Sequence, residues 1–218
     1  MQLIAHRGFA AVAPENTLGA IRAAETHADA VEFDVRRCGS GELVVFHDPT
    51  LERVTGVHGT LSETPLEELR TLEVLDSGES IPTLEEALDA APPGLEVNLE
   101  MKSLGIAEDV LAALEGVSNR VVATSFLTPE LRRLHELDPN QPTGLLVSRR
   151  LVHPVTTAVE LGCEVIGAHY WRCLTTGLVD RARALGLEIH SWTVERPLLA
   201  KLLAVRGVDY VSADRPLW

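Results

Sequence analysis

The 218-residue chain has almost no lysine: Lys102 and Lys201 are the only two, and the rest of its 19 basic residues are arginines. Against 32 acids they leave a net charge of −13. That deficit excludes binding to nucleic acid or anionic lipid through a broad basic surface, so any anionic ligand must meet local positive charge. The same composition suits a high-salt cytoplasm and, equally, an arginine-biased genome. Cysteine is scarce too. Cys38, Cys163 and Cys173 are odd in number and lack paired metal spacing, which excludes a disulfide framework and predicts reduced thiols. No apolar window approaches the length of a membrane span, and the first strand begins almost at Met1, leaving no room for a secretory leader. The expectation is a cytoplasmic protein without a membrane span. At 45% hydrophobic residues the chain can bury a large core, and its length favours one domain over residues 1–218.

From Leu95 onward a unit repeats: a short apolar strand, a polar turn, an amphipathic helix and a closing glycine. Gly116, Gly162, Gly186 and Gly207 hold the closing position, where a left-handed residue commonly ends a helix. The strands read as Leu95–Glu100, Arg120–Thr124, Thr143–Val147, Glu164–Ala168, Leu187–Trp192 and Val208–Val211. Leu3–His6 and Ala30–Val35 bring the number to eight, the count of a TIM-type (β/α)8 barrel. A doubly wound open sheet is the alternative, but no glycine-rich dinucleotide turn opens its first helix. Capping patterns are expected at Thr83 with Glu86, at Thr64 with Glu67 and Pro65, and at Thr128 before Pro129. Leu43–His47 reads as an extra strand in a hairpin with the second strand, followed by an insertion at about 49–80 on the mouth face. Too few residues follow Val211 for an eighth helix. Leu217, Trp218 or a second subunit is expected to cover the strand left exposed, which makes a homodimer the expected assembly.

Polar residues recur where strands end. His6 and Arg7 follow the first, and His47 closes the hairpin. In Ala30–Arg36, period-two alternation puts Glu32 and Asp34 on one face, and in the strand from Leu95 it does the same for Glu96, Asn98, Glu100 and Lys102. A parallel barrel gathers such strand ends into one mouth. There Glu32, Asp34 and Glu100 would repel one another unless a cation neutralised them, and hard oxygen ligands favour Mg²⁺ or Ca²⁺ over zinc. His6 and His47 would serve as a general acid and base pair. Arg7 and Lys102 would hold a phosphate. His27, His58, His135 and His153 read as structural. Trp192 shares a strand face with His190 and is expected to point into the mouth. Glu15 and Asn16 are expected near it, with capping of the first helix as their main work.

The ordered fragments His6-Arg7-Gly8, Pro14-Glu15-Asn16-Thr17, Glu32-Phe33-Asp34-Val35, Val44-Val45-Phe46-His47-Asp48, Leu99-Glu100-Met101-Lys102 and Trp192-Thr193-Val194 resemble the glycerophosphodiester phosphodiesterase family. The resemblance covers nearly the whole chain. It implies a TIM-type barrel that hydrolyses glycerophosphodiesters to a glycerol phosphate and an alcohol with one divalent cation. Carried onto matching positions, it makes Glu32, Asp34 and Glu100 metal ligands, His6 and His47 the acid and base pair, and Arg7 and Lys102 the phosphate binders, with Trp192 lining the glycerol pocket. It also implies attack on phosphorus by the substrate's own glycerol hydroxyl, giving a cyclic phosphate that water opens. Two positions depart from the family pattern: Glu195 stands where asparagine is usual, and Ala213 where threonine is common. Glu195 either favours a cationic alcohol such as choline or ethanolamine or reflects surface drift. Alternative readings keep the barrel but cleave lysophospholipids in the manner of a phospholipase D, releasing a cyclic phosphate, or bind phosphodiesters without turnover.

Overall fold

Alternating apolar and polar side chains along a strand face opposite sides of the sheet, and here that alternation separates a hydrophobic outside from a polar inside. The computed structural model describes all residues 1–218. Its strands are β1 (Gln2–Ala5), β2 (Ala30–Arg37), β3 (Leu43–Val45), β4 (Glu96–Met101), β5 (Val121–Ser125), β6 (Thr143–Val147), β7 (Val165–His169), β8 (Glu188–Trp192) and β9 (Tyr210–Ala213). All but β3 run parallel in the order β1, β9, β8, β7, β6, β5, β4, β2, and β1 pairs with β2 to close an eight-stranded barrel. The short β3 hangs antiparallel on β2, so the expected hairpin forms. It ends at Val45 rather than His47, although the Phe46 N–H still donates to the Asp34 carbonyl of β2 at 2.8 Å.

The helices are α1 (Leu18–Ala23), α2 (Glu52–Thr55), α3 (Leu66–Leu69), α4 (Leu84–Ala90), α5 (Ala107–Leu114), α6 (Thr128–Leu137), α7 (Pro154–Glu160), α8 (Tyr170–Thr175), α9 (Leu178–Ala184) and α10 (Pro197–Val205). Val31, Phe33, Val35, Val97, Leu99 and Met101 point outward into the main core between barrel and helices. Inside, Ile4, Ala30 and Tyr210 form a small apolar plug. Beyond it, Thr124 Oγ1 donates to Asn98 Oδ1 at 2.9 Å, and His190 Nε2 hydrogen-bonds Ser212 Oγ at 2.7 Å. Segment 49–80, with α2 and α3, shares a separate nine-residue core with Cys38, Val44, Phe46 and Ile81.

Caps divide the sequence expectations. Thr83 and Glu86 form the full reciprocal capping box, and Gly116, Gly162, Gly186 and Gly207 all take positive φ after their helices. Thr64 does not cap α3: its hydroxyl is committed to the Thr60 carbonyl at 3.0 Å, and Pro65 takes the cap position. Thr128 is already inside α6, and Ser125 Oγ instead accepts from Leu127 N–H. Glu15 and Asn16 do not cap α1, because Thr17 accepts from Ala20 N–H. No helix follows β9 within residues 214–218. Leu217 packs into the main core, whereas Trp218 is 61% exposed.

Gly8 sets the distance between β1 and α1. It sits at φ +74°, and a Cβ there would lie 2.6 Å from Ala20 Cβ and 2.7 Å from the Ala20 carbonyl carbon. Backbone cannot retreat as a flexible side chain can. Gly8→Ala therefore combines a left-handed penalty with an overpacked contact, together about 3 kcal/mol or more. We expect thermal melting to drop by about 10 °C; an unchanged melting temperature would show that α1 shifts without cost.

Candidate active site

Register places the site. Ala5 pairs with Ala213 across β1 and β9, so the next residues, His6 and Asp214, lie side by side, and their Nδ1 and Oδ1 atoms are 2.6 Å apart. Asp34 pairs with Glu100 across β2 and β4. Lys102, one pleat further on, reaches Glu100 Oε1 at 2.7 Å and Asp34 Oδ1 at 3.1 Å. A 3-10 turn at His6–Gly8, with Arg7 at φ 50°, turns the Arg7 backbone inward, where its N–H donates to Glu32 Oε2 at 2.8 Å. The Arg7 guanidinium meets Glu15 Oε1 at 2.9 Å and Asp34 Oδ2 at 3.2 Å. Asn16 Nδ2 donates to Asp34 Oδ2, and Asn16 Oδ1 accepts from Asp34 N–H.

His47 enters from the hairpin side. Its Nδ1 is 2.5 Å from Asp48 Oδ1, and its carbonyl accepts from Arg36 Nε at 2.7 Å. Arg53 of α2 ties this half of the mouth to the other: two of its nitrogens donate to Glu15 at 2.7 Å and its Nε to Asp48. One arginine thus stands behind the partners of both Arg7 and His47. All ten residues expected at the mouth come together there. Sequence reasoning assigned no role to Asp214, Asp48 or Arg53, although Asp48 adjoins His47. Arg53 arrives from the insertion.

The electrostatics are those of an over-acidic cluster. Burial, with repulsion from Asp34 and Glu100, pushes the Glu32 carboxyl above the ordinary glutamate value. Burial and Asp34 also raise Glu100, against the opposing pull of Lys102. Asp34 is equally buried, yet Lys102, Arg7 and the Asn16 hydrogen bond overcome that burial and hold it below the usual carboxylate range. The histidines shift in opposite directions. Burial opposes protonation of His6, but Glu32 and Asp214 outweigh it and its pKa lies above normal. His47 is lowered, by burial first and then by Lys102 and Arg7. Burial pushes His190 down to about 3, so it stays neutral.

Oxygens of Glu32, Asp34 and Glu100 lie within 4.8 Å of one another. Glu32 Oε1 is buried with no hydrogen-bond partner, an expensive state for an ionised oxygen unless a cation meets it. Three hard oxygen donors with one unspent lone-pair site fit Mg²⁺ or Ca²⁺. A polar cavity of about 180 Å³ lies over them, lined also by His6, His47 and Trp192. Trp192 meets Phe126 and His169 edge-on at 5.7 and 5.6 Å, and its buried indole N–H has no partner within the protein. Glu195 is exposed and lines a neighbouring groove instead.

The profile of the glycerophosphoryl diester phosphodiesterase family matches residues 6–217. A glycerophosphodiester phosphodiesterase of Caldanaerobacter subterraneus is 33% identical, with 98% of this chain and 94% of that protein aligned. The Oleispira antarctica phosphodiesterase solved with its product sn-glycerol-3-phosphate superposes with a TM-score of 0.90 at 30% identity, covering 99% of this chain and 94% of the other. The Thermotoga maritima glycerophosphodiester phosphodiesterase gives 0.85 at 26% identity, covering 97% and 93%.

Proposed function

This chain belongs to the glycerophosphoryl diester phosphodiesterase family, and we propose that it hydrolyses glycerophosphodiesters to a glycerol phosphate and an alcohol with one Mg²⁺ or Ca²⁺ held by Glu32, Asp34 and Glu100. The observation that carries this reading is the convergence of three carboxylates, Glu32 and Asp34 buried and Glu100 half-buried, and two aspartate-paired histidines at one mouth. A divalent cation supplies Lewis acidity toward a phosphoryl oxygen. Arg7 and Lys102, which neutralise Asp34 and Glu100, bind the remaining phosphate oxygens. Arg7 does so through its planar fork and Lys102 as a point charge. Asp214 and Asp48 each occupy the Nδ1 side of a histidine, leaving Nε2 for proton transfer. The two rings shift in opposite directions in the metal-free protein: Glu32 and Asp214 raise His6 above the ordinary imidazole value, and burial lowers His47 below it. As an acid and base pair, one ring accepts the proton of the attacking hydroxyl while the other protonates the leaving alkoxide. The unpartnered Trp192 N–H is available to a glycerol or phosphate oxygen.

Phosphorus NMR of reactions with glycerophosphocholine, glycerophosphoethanolamine and glycerophosphoglycerol tests the assignment. Glycerol phosphate is the expected product from at least one of them. Inert glycerophosphodiesters, with a stable cyclic phosphate accumulating from a lysophospholipid, would overturn it in favour of the phospholipase D-like alternative.

A further inference from the structure

Arg53 does not line the catalytic cavity, yet its guanidinium makes three charged contacts at the mouth. Nη1 and Nη2 donate to Oε2 and Oε1 of Glu15, both at 2.7 Å, and Nε donates to Oδ2 of Asp48. Each of these carboxylates serves a residue of the proposed reaction. Glu15 Oε1 also accepts from Arg7 Nη1 at 2.9 Å, and Asp48 Oδ1 faces His47 Nδ1 at 2.5 Å. The insertion is built so as to hold the arginine there. Leu51 and Val54 are buried in the small core that also takes Phe46, the chain neighbour of His47, and the Val54 carbonyl accepts from Leu75 N–H at 2.8 Å. The Arg53 side chain itself is 47% exposed, so its contribution is charge and direction rather than packing.

Arg7 cannot grip a phosphate oxygen without loosening its hold on carboxylates. Glu15 is only 7% exposed, and a buried carboxylate stripped of its counter-charge is costly. Arg53 keeps both Glu15 oxygens bonded while Arg7 turns to the substrate. At His47 the main chain is already fixed, because its carbonyl accepts from Arg36 Nε. The direction of the ring depends on Asp48, and Arg53 holds the other oxygen of that carboxylate. Burial raises the Glu15 and Asp48 carboxyls, but hydrogen bonds from Arg53 lead the contacts that outweigh it, and both lie below their ordinary values. We propose that Arg53 is a positioning residue for both halves of the site: through Glu15 it releases Arg7 to bind phosphate, and through Asp48 it aims His47 for proton transfer. This rests on the phosphodiesterase reading above.

The test is steady-state kinetics on glycerophosphodiesters for Arg53→Ala alone and in Glu15→Gln and Asp48→Asn backgrounds, at a temperature well below the melting point of every variant. Arg53→Ala should raise KM and lower kcat together, with a loss in kcat/KM of about 10- to 100-fold. In the Glu15→Gln background no carboxylate is left to recapture Arg7, so removing Arg53 should leave KM unchanged within about twofold. In the Asp48→Asn background it should lower kcat by no more than about twofold. An arginine that merely stabilised the insertion would impose its full loss in both backgrounds. Such full additivity in either background, or an Arg53→Ala enzyme within about twofold of wild type, would overturn the proposal. With wild-type turnover intact, those results remove only the role of Arg53, whereas a wild type that turns over no glycerophosphodiester refutes the phosphodiesterase reading and the role of Arg53 with it.

Discussion

Replacing His6 or His47 by alanine should lower kcat by about 10² to 10⁴-fold, with a much smaller change in KM. The magnitude follows from a proton transfer lost in the transition state; the phosphate grip of Arg7 and Lys102 is left in place. The His47 side chain is 31% exposed and that of His6 20%, so neither removal opens a large core cavity and both variants should remain folded. Two refinements separate chemistry from packing. The double variant should be hardly worse than the poorer single, because an acid and a base that work as a unit are not additive. Asp214→Asn should keep KM and lose part of kcat, since it removes the carboxylate that orients His6 while the ring stays. Stopped-time release of glycerol phosphate measures all three. A His6→Ala variant within a factor of a few of wild type would remove that residue from the mechanism.

Cation binding should stabilise the protein, and the effect should grow with pH. Glu32 and Glu100 have folded pKa values above the ordinary 4.5. Between 4.5 and each folded value, the native state keeps a proton that the unfolded chain has released, so metal-free stability falls as pH rises through that interval. His6, also raised, adds stability that is fully present below 6.5 and is lost as pH rises through its folded value. His47, lowered, works the other way just below 6.5. Asp34, held low, is ionised throughout and loses its contribution only as pH falls through 3.8 and below. A divalent cation binds the deprotonated cluster and reverses the carboxylate penalty. At a hundredfold excess over its Kd the gain is about 2.7 kcal/mol, or roughly 5 to 10 °C in melting temperature. Scanning calorimetry with and without Mg²⁺ or Ca²⁺, from about pH 5 to about pH 8, should show the shift widening with pH. Asp34→Asn or Glu100→Gln should abolish it. An equal shift at all pH values, or one that survives both substitutions, would place the cation elsewhere.

The site was legible to the extent that it depends on strand periodicity. Alternation in β2 and β4 was enough to put Glu32, Asp34 and Glu100 on one face, and the parallel register then sets Asp34 beside Glu100. What escaped depends on contacts between segments distant in the chain. Asp214 meets His6 only because the barrel closes β9 against β1. Arg53 reaches Glu15 and Asp48 from an insertion with no periodic pattern to read. Thr64 failed as a cap because its hydroxyl bonds the preceding turn instead of the helix ahead, and Thr128 because α6 already includes it. At α5 the reverse happens. No residue at its own start caps it, and the buried Glu130 carboxylate of α6 accepts the backbone N–H groups of Gly105, Ile106 and Ala107 at 2.7 to 3.1 Å. Such a cap, supplied from another helix, leaves no signature at the helix it serves.

In the proposed mechanism the Glu32, Asp34 and Glu100 cluster and its flanking histidines act as one metal-dependent hydrolytic unit. Its most direct test is to strip the purified enzyme with a chelator, follow release of glycerol phosphate from glycerophosphodiesters, and titrate Mg²⁺ or Ca²⁺ back, in parallel for wild type and His6→Ala. Chelation should abolish wild-type turnover, the returning cation should restore it, and His6→Ala should stay impaired with the cation present. Turnover that survives both chelation and the substitution would contradict it.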